Sequence, residues 1–156
     1  MKGHEKVIEL LNSILTLELS AVNQYWIHAR MCESWGYLRL WEKLRAESLG
    51  EMKHADALIA RILQLEGIPN LQRYGKITIG ETVLEQMKLD IEVERTSIRI
   101  LNEAVSTCRT LDDNGTRLLL ETLLQDSESH EAWIDMQIEQ IQRVGEANYL
   151  AQQIRP

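Results

Sequence analysis

The sequence predicts an all-α fold: four long helices side by side, one long crossover between the second and third, and a short fifth helix. Three observations lead there. Apolar residues recur at the three-to-four-residue spacing of helices, and no stretch sustains the alternation of a strand. Only two prolines occur, Pro69 and the terminal Pro156, so the periodic stretches run uninterrupted. Glycines punctuate instead, with Gly36, Gly67, Gly115 and Gly145 standing where a pattern ends or restarts.

The first helix, residues 5–35, carries Val7, Leu10, Leu11 and Ile14 on one face. The second, 38–66, repeats the pattern with Leu58, Ile59, Ile62 and Leu65. The segment GIPNLQRYGKITIG from Gly67 to Gly80 is too long for a tight turn and long enough to travel the length of a bundle. The third helix, 82–111, shows Met87, Ile91, Ile98, Leu101 and Val105. The fourth, 115–144, shows Leu119, Leu120, Leu123 and Leu124, then Trp133, Met136 and Ile141. A short element, 147–154, follows Gly145. No internal repeat divides the chain, and residues 1–156 read as a single domain.

Composition narrows the function. The hydrophobic share of 44% supports a sizeable core, and the net charge of -7 disfavours nucleic acid and anionic membranes while suiting a protein that gathers cations. Cys32 and Cys108 are too few for a disulfide framework and read as reduced, buried thiols. No apolar run approaches the ~20 residues of a membrane span, and MKGHEKVIELLNSILTLEL carries charges throughout, unlike a signal peptide. The expectation is a cytoplasmic protein with no nucleic-acid or membrane partner.

Ionisable residues interrupt the apolar faces near mid-helix. In Glu51-Met52-Lys53-His54 a carboxylate and an imidazole stand three positions apart, about 60° round the helix, so both can grip one ion. Glu47, one turn earlier, extends that stripe. Glu18 interrupts the first helix, with Tyr25 two turns on; Glu94 lies among Ile91, Ile98 and Leu101; His130 precedes Trp133 by three. Each alone is an ordinary helix residue. Together, all four helices bring an ionisable group to an apolar face, and buried carboxylates are costly unless paired or bound to an ion. Carboxylate and imidazole donors with open positions suit iron.

Four segments, MKGHEKVIELLN, LELSAVNQYWIHARM, EMKHADALIARILQLEGIPNLQ and NYLAQQI, resemble bacterioferritin, within the ferritin-like superfamily, and carry that resemblance over essentially the whole chain. It implies that Glu18, Glu51, His54, Glu94 and His130 are ferroxidase-centre ligands. Such a centre binds two ferrous ions, dioxygen or peroxide oxidises them, and ferric mineral is stored in a hollow twenty-four-subunit shell built from two-fold dimers. It also implies haem b, held by Met52 from each side of a dimer, and a ferredoxin-type electron donor. A DNA-protecting miniferritin is disfavoured: the ligands lie within one bundle, a fifth helical element follows Gly145, and there is no basic tail.

The sequence departs from that family at one ligand. Where the pattern has a bridging glutamate, the run Asp126-Ser127-Glu128-Ser129-His130 has Ser127, a poor iron ligand. Glu128 is about 200° from His130 and points away; Asp126 faces the same way but sits about 6 Å along the axis on a shorter side chain, so neither is taken as a replacement. Ala46 and Gly50 stand where the family commonly has a histidine and an aspartate, and Gly50 costs the helix roughly 1 kcal/mol relative to alanine. The expectation is a weakened di-iron centre, above all at the iron of Glu94 and His130, with the Glu18–Glu51–His54 half able to hold one ion.

A second stripe lies about 100° round from the ligands: Met52, Ala55, Asp56 and Ile59 on the second helix, and Leu19, Val22, Asn23 and Trp26 on the first. Such a lateral face suits another subunit. A lone methionine is usually core filler; the resemblance makes Met52 a haem ligand instead. Retained haem beside an altered iron centre suggests a mixed cage in which a second bacterioferritin subunit supplies the ferroxidase activity. His4 and His28 read as surface residues or residues behind the ligands, and Trp35, Trp41 and Trp133 as core or interface anchors.

Overall fold

A computed structural model describes residues 1–156 and contains five helices: α1 (Glu5–Ser34), α2 (Leu38–Gln64), α3 (Val83–Thr110), α4 (Asn114–Val144) and α5 (Glu146–Ala151). α1 packs along α2, α3 along α4, and α1 against α3, with α5 on the end of α4. This is the all-α bundle expected. None of its helices is long and apolar enough to cross a membrane.

Three helices end alike. A left-handed residue follows the last turn, and the amide after it closes onto a carbonyl five back: Gly36 (φ 86°) with Tyr37 N–H to Cys32, Glu66 (φ 62°) with Gly67 to Ile62, and Asp112 (φ 56°) with Asp113 to Cys108, each at 2.9 Å. Gly67 and Gly115 stand where one helix ends and another restarts, as expected, but neither is the residue that turns the chain. Glu66 and Asp112 turn the chain, each at a cost of about 1 kcal/mol against glycine. Gly67 is small because a Cβ would meet Ile8 Cγ2 at 2.9 Å. Gly115 lies inside the first turn of α4, where a Cβ would come within 2.8 Å of the Arg61 guanidinium.

The crossover is carried by a polar rail on α1. Asn12, Ser20, Gln24 and His28 lie at multiples of four, a row that winds slowly round α1 by about 40° per step. Asn12 Oδ1 accepts from the Asn70 amide at 2.7 Å, Ser20 Oγ from Gly75 at 3.1 Å, Gln24 Oε1 from Thr78 at 3.1 Å and His28 Nε2 from Gly80 at 3.0 Å. The segment thus satisfies its backbone along about 24 Å of helix without forming secondary structure.

The apolar core comes in two pieces. One, of 14 buried residues, centres on Leu11, Leu15, Leu58, Ile62, Leu101 and Leu120; the other, of 10, on Leu40, Leu44, Met87, Ile91, Ile134 and Tyr149. Met136, expected on the core face, is 48% exposed, and α4 buries Ile134, Gln137 and Ile141 instead. The candidate site fills the gap between the two pieces.

Candidate metal centre

All five expected ligands meet between the two cores. Glu18, Glu51, Glu94 and His130 are buried and His54 is half-buried. They form two groups that share Glu51. In one, His54 Nδ1 lies 3.2 Å from Glu51 Oε2 and 3.4 Å from Glu18 Oε2. In the other, His130 Nδ1 lies 2.9 Å from Glu94 Oε1 and 3.4 Å from Glu47 Oε2. The donor atoms of Glu18, Glu51 and His54 lie within 4.8 Å of one another, as do those of Glu47, Glu51 and His130. Sequence reasoning set Glu47 on the right stripe but could not see that it reaches His130 on α4.

The enclosed polar atoms without hydrogen-bond partners are Glu18 Oε2, Glu94 Oε2, His130 Nε2 and Asp90 Oδ2. The first two belong to carboxylates of the site. An orphaned buried carboxylate oxygen is expensive, and a divalent cation is the partner this donor set fits. Ser127 is buried on α4, three residues before His130, but brings only a neutral hydroxyl.

Without a cation the centre retains protons. Burial, with Glu18 alongside, pushes the Glu51 carboxyl up to about 8. Burial opposes charge on His54, yet Glu18 and Glu51 outweigh it and push the imidazole up to about 11. Burial likewise raises Glu94, although His130 and Tyr25 pull the other way. His130 is raised because Glu94 and Glu47 overcome its burial. A cation entering here replaces protons.

Neighbours hold the ligands in place. Tyr25 donates its hydroxyl to Glu94 Oε1 at 2.5 Å and meets the His130 ring edge-on, while Trp133 stacks on that ring. Burial and Glu94 drive the Tyr25 phenol well above its ordinary range, so it stays a donor. Asp126 Oδ2 lies 2.8 Å from His54 Nε2, leaving Nδ1 turned to the carboxylates. Asp126 therefore orients His54 and does not stand in for the absent glutamate at 127. This contact joins α2 to α4 and had no sequence signal beyond its proximity to His130.

Of the two readings of His28, on the surface or behind the ligands, the first is excluded. It is wholly buried, its Nδ1 2.8 Å from Asp90 Oδ1, which also accepts from Gln24 Nε2 at 3.0 Å. Since Nε2 accepts from Gly80, Nδ1 carries the proton and donates to Asp90. Asp90 escaped notice although it stands one turn before Glu94 on a buried face. His4 is on the surface, as the N-cap of α1, its Nδ1 accepting from Lys6 N–H at 3.1 Å. Trp41 and Trp133 are half-buried against the second core, and Trp35 is exposed.

The lateral stripe is only partly open. Val22 and Ala55, expected on it, are buried in the bundle, Ala55 within the first core. What faces outward is Asn23, Trp26, Met52 and Asp56, flanked by half-buried Leu19 and Ile59. Met52 is 49% and Trp26 59% exposed. A thioether left outside the core can serve as a ligand from the surface of the chain.

A bundle whose core is split by a carboxylate–imidazole pocket drawn from all four helices defines the ferritin-like class. The family described as a ferritin-like domain matches residues 8–144. A bacterioferritin of Brucella melitensis is 44% identical over 149 residues, covering 96% of this chain and 92% of the relative. One from Mycobacterium leprae is 40% identical over 152 residues, covering 97% and 96%. Another, from Rhodobacter capsulatus, is 42% identical over 145, covering 93% and 90%. The chain belongs to the bacterioferritin family, whose members are iron-storage proteins.

Proposed function

We propose that this chain is a cytoplasmic iron-storage subunit that takes up ferrous iron in its bundle and passes it, oxidised, to a ferric mineral inside a multi-subunit cage. The observation that carries the reading is the pair of donor groups joined at Glu51, with orphaned oxygens on Glu18 and Glu94. Iron is the substrate, and dioxygen or peroxide takes its electrons. Glu18, Glu51 and His54 hold one ferrous ion; Glu94 and His130 face the second position, which Ser127 leaves short of a carboxylate. Asp126 keeps His54 Nδ1 turned inward, and Tyr25 holds Glu94 in register. Glu51 and His54 give up protons as iron arrives.

Met52 fits a haem ligand, one from each subunit of a two-fold dimer, since it stands 49% exposed on the outer face of α2. Haem b held there supplies an electron path for releasing stored iron, with a ferredoxin-type donor. Met52→Ala is expected to abolish the haem absorbance of the reconstituted protein while leaving metal uptake intact.

Ser127 favours a second reading: a haem-bearing subunit of a mixed twenty-four-subunit cage, with a second bacterioferritin subunit supplying most of the ferroxidase activity. The test is stopped-flow oxidation of Fe(II) in air by the purified, iron-free chain beside Ser127→Glu. A slow rise that the variant accelerates at least tenfold supports the haem-bearing role. A fast phase saturating near two irons per subunit, unchanged by the variant, assigns the oxidation to this chain itself. No iron retained by either protein refutes both.

A further inference from the structure

Position 127 lacks a carboxylate, yet α2 brings one to His130, three residues further along α4. Glu47 lies one turn before Glu51 on α2 and is half-buried. Its two oxygens do different things. Oε1 is 2.8 Å from Lys43 Nζ, and that ammonium sits over the Trp133 ring, 5.0 Å from its centroid. Oε2 turns the other way, to within 3.4 Å of His130 Nδ1.

His130 Nδ1 carries at most one hydrogen, yet two carboxylate oxygens converge on it, Glu94 Oε1 at 2.9 Å and Glu47 Oε2 at 3.4 Å. One proton cannot serve both well; an ion in its place can. One further atom strengthens this: Glu94 Oε2 is enclosed without any partner, on a residue only 1% exposed. No rival donor reaches from the same edge of α2. Ala46 has a single methyl, and a Cβ at Gly50 would meet nothing within 4 Å. Asp126 is occupied on the other side by His54 Nε2.

We propose that Glu47 supplies the carboxylate missing at position 127, so that Glu47, Glu51, Glu94 and His130 form a second divalent-cation site. This rests on the iron-binding reading of the centre. The site is unequal to its neighbour. Glu47 divides its charge between Lys43 and the ion and keeps 22% of its side chain exposed, whereas Glu18 is 2% exposed and has an oxygen free. The second ion is therefore held more weakly than the first.

Cobalt(II) tests this without any oxidation. Iron-free protein is titrated anaerobically with Co(II), following visible d–d absorption and, separately, metal retained per subunit. The unaltered chain is expected to bind in two steps. Glu47→Gln is expected to leave the first step unchanged, which also shows that the bundle is intact. It should weaken the second by at least about tenfold, since even a residue that merely orients a ligand is worth 10–100-fold in affinity. Adding Ser127→Glu to Glu47→Gln is expected to restore the second step. A second step unmoved by Glu47→Gln overturns the proposal, as does a single step in the unaltered chain; both leave the Glu18–Glu51–His54 site standing. Absence of any saturable binding overturns that reading as well.

Discussion

A site built to receive a cation should weaken the protein that lacks one, and Glu51 is where that shows most. It is 6% exposed, and burial with Glu18 alongside pushes its carboxyl from the ordinary 4.5 up to about 8. Between those values the folded chain holds a proton that the unfolded chain releases, so the stability of the metal-free protein falls as pH rises through that window. At pH 7 the penalty is on the order of 3 kcal/mol, from about 1.4 kcal/mol per tenfold shift in protonation. Glu51→Gln removes the penalty, and its amide can donate to the orphaned Glu18 Oε2 while Glu18 remains beside His54. At about 2–4 °C per kcal/mol for a chain of this size, Glu51→Gln should melt roughly 6–12 °C higher than the unaltered chain, both metal-free, at pH 7. The two should converge near pH 4. Calorimetry across pH 4–8.5, with and without Co(II), makes the comparison. Added metal should stabilise the unaltered protein more than the variant. A metal-free variant that melts lower at pH 7, or that keeps the same dependence on pH, would refute the reasoning.

Other consequences follow from the same contacts. Asp113 caps α4, accepting from Thr116 N–H at 3.0 Å and from its hydroxyl at 2.7 Å, with Arg61 at 3.0 Å. Burial works against its charge, but these partners hold its carboxyl below the usual range. Asp113→Ala should therefore cost about 1–2 kcal/mol in urea denaturation at neutral pH. That difference is fully present above the ordinary carboxylate range and shrinks as pH falls through the lowered value. Cys32 and Cys108 are wholly buried, and burial pushes their thiols up to about 12 and about 11. A thiol reagent at pH 8 should leave both untouched in the folded protein and modify both once it is unfolded. His28→Ala strips buried Asp90 of its ring partner and frees the Gly80 amide. It should cost about 3 kcal/mol in thermal denaturation and speed hydrogen exchange at Gly80 and Thr78.

How much of this was legible in the sequence depended on whether the signal was local. The helices were, because Leu11, Leu58, Leu101 and Leu120 bury the faces that their spacing marks. So was the crossover, from the length and turn residues of 67–80. The five candidate ligands could be picked out because each is an ionisable residue among apolar ones, and the family pattern aligned them. What was hidden depends on partners far along the chain. Asn12, Ser20, Gln24 and His28 look like a solvated face until the crossover lies on them. Glu66 and Asp112 take left-handed turns that no residue type announces, because the closing hydrogen bonds outweigh the strain of a Cβ there. Glu47 and Asp126 sit on helices that approach one another only in the folded bundle, so their contacts with His130 and His54 had no pattern in sequence.

The proposed function requires iron to bind inside the bundle, at two unequal positions that share Glu51. Crystals of the iron-free protein soaked anaerobically in Fe(II) and measured at the iron absorption edge test it directly. Full anomalous density is expected among Glu18, Glu51 and His54, and weaker density among Glu47, Glu51, Glu94 and His130. Two equally occupied irons bridged beside Ser127, or no iron within the bundle, would contradict it.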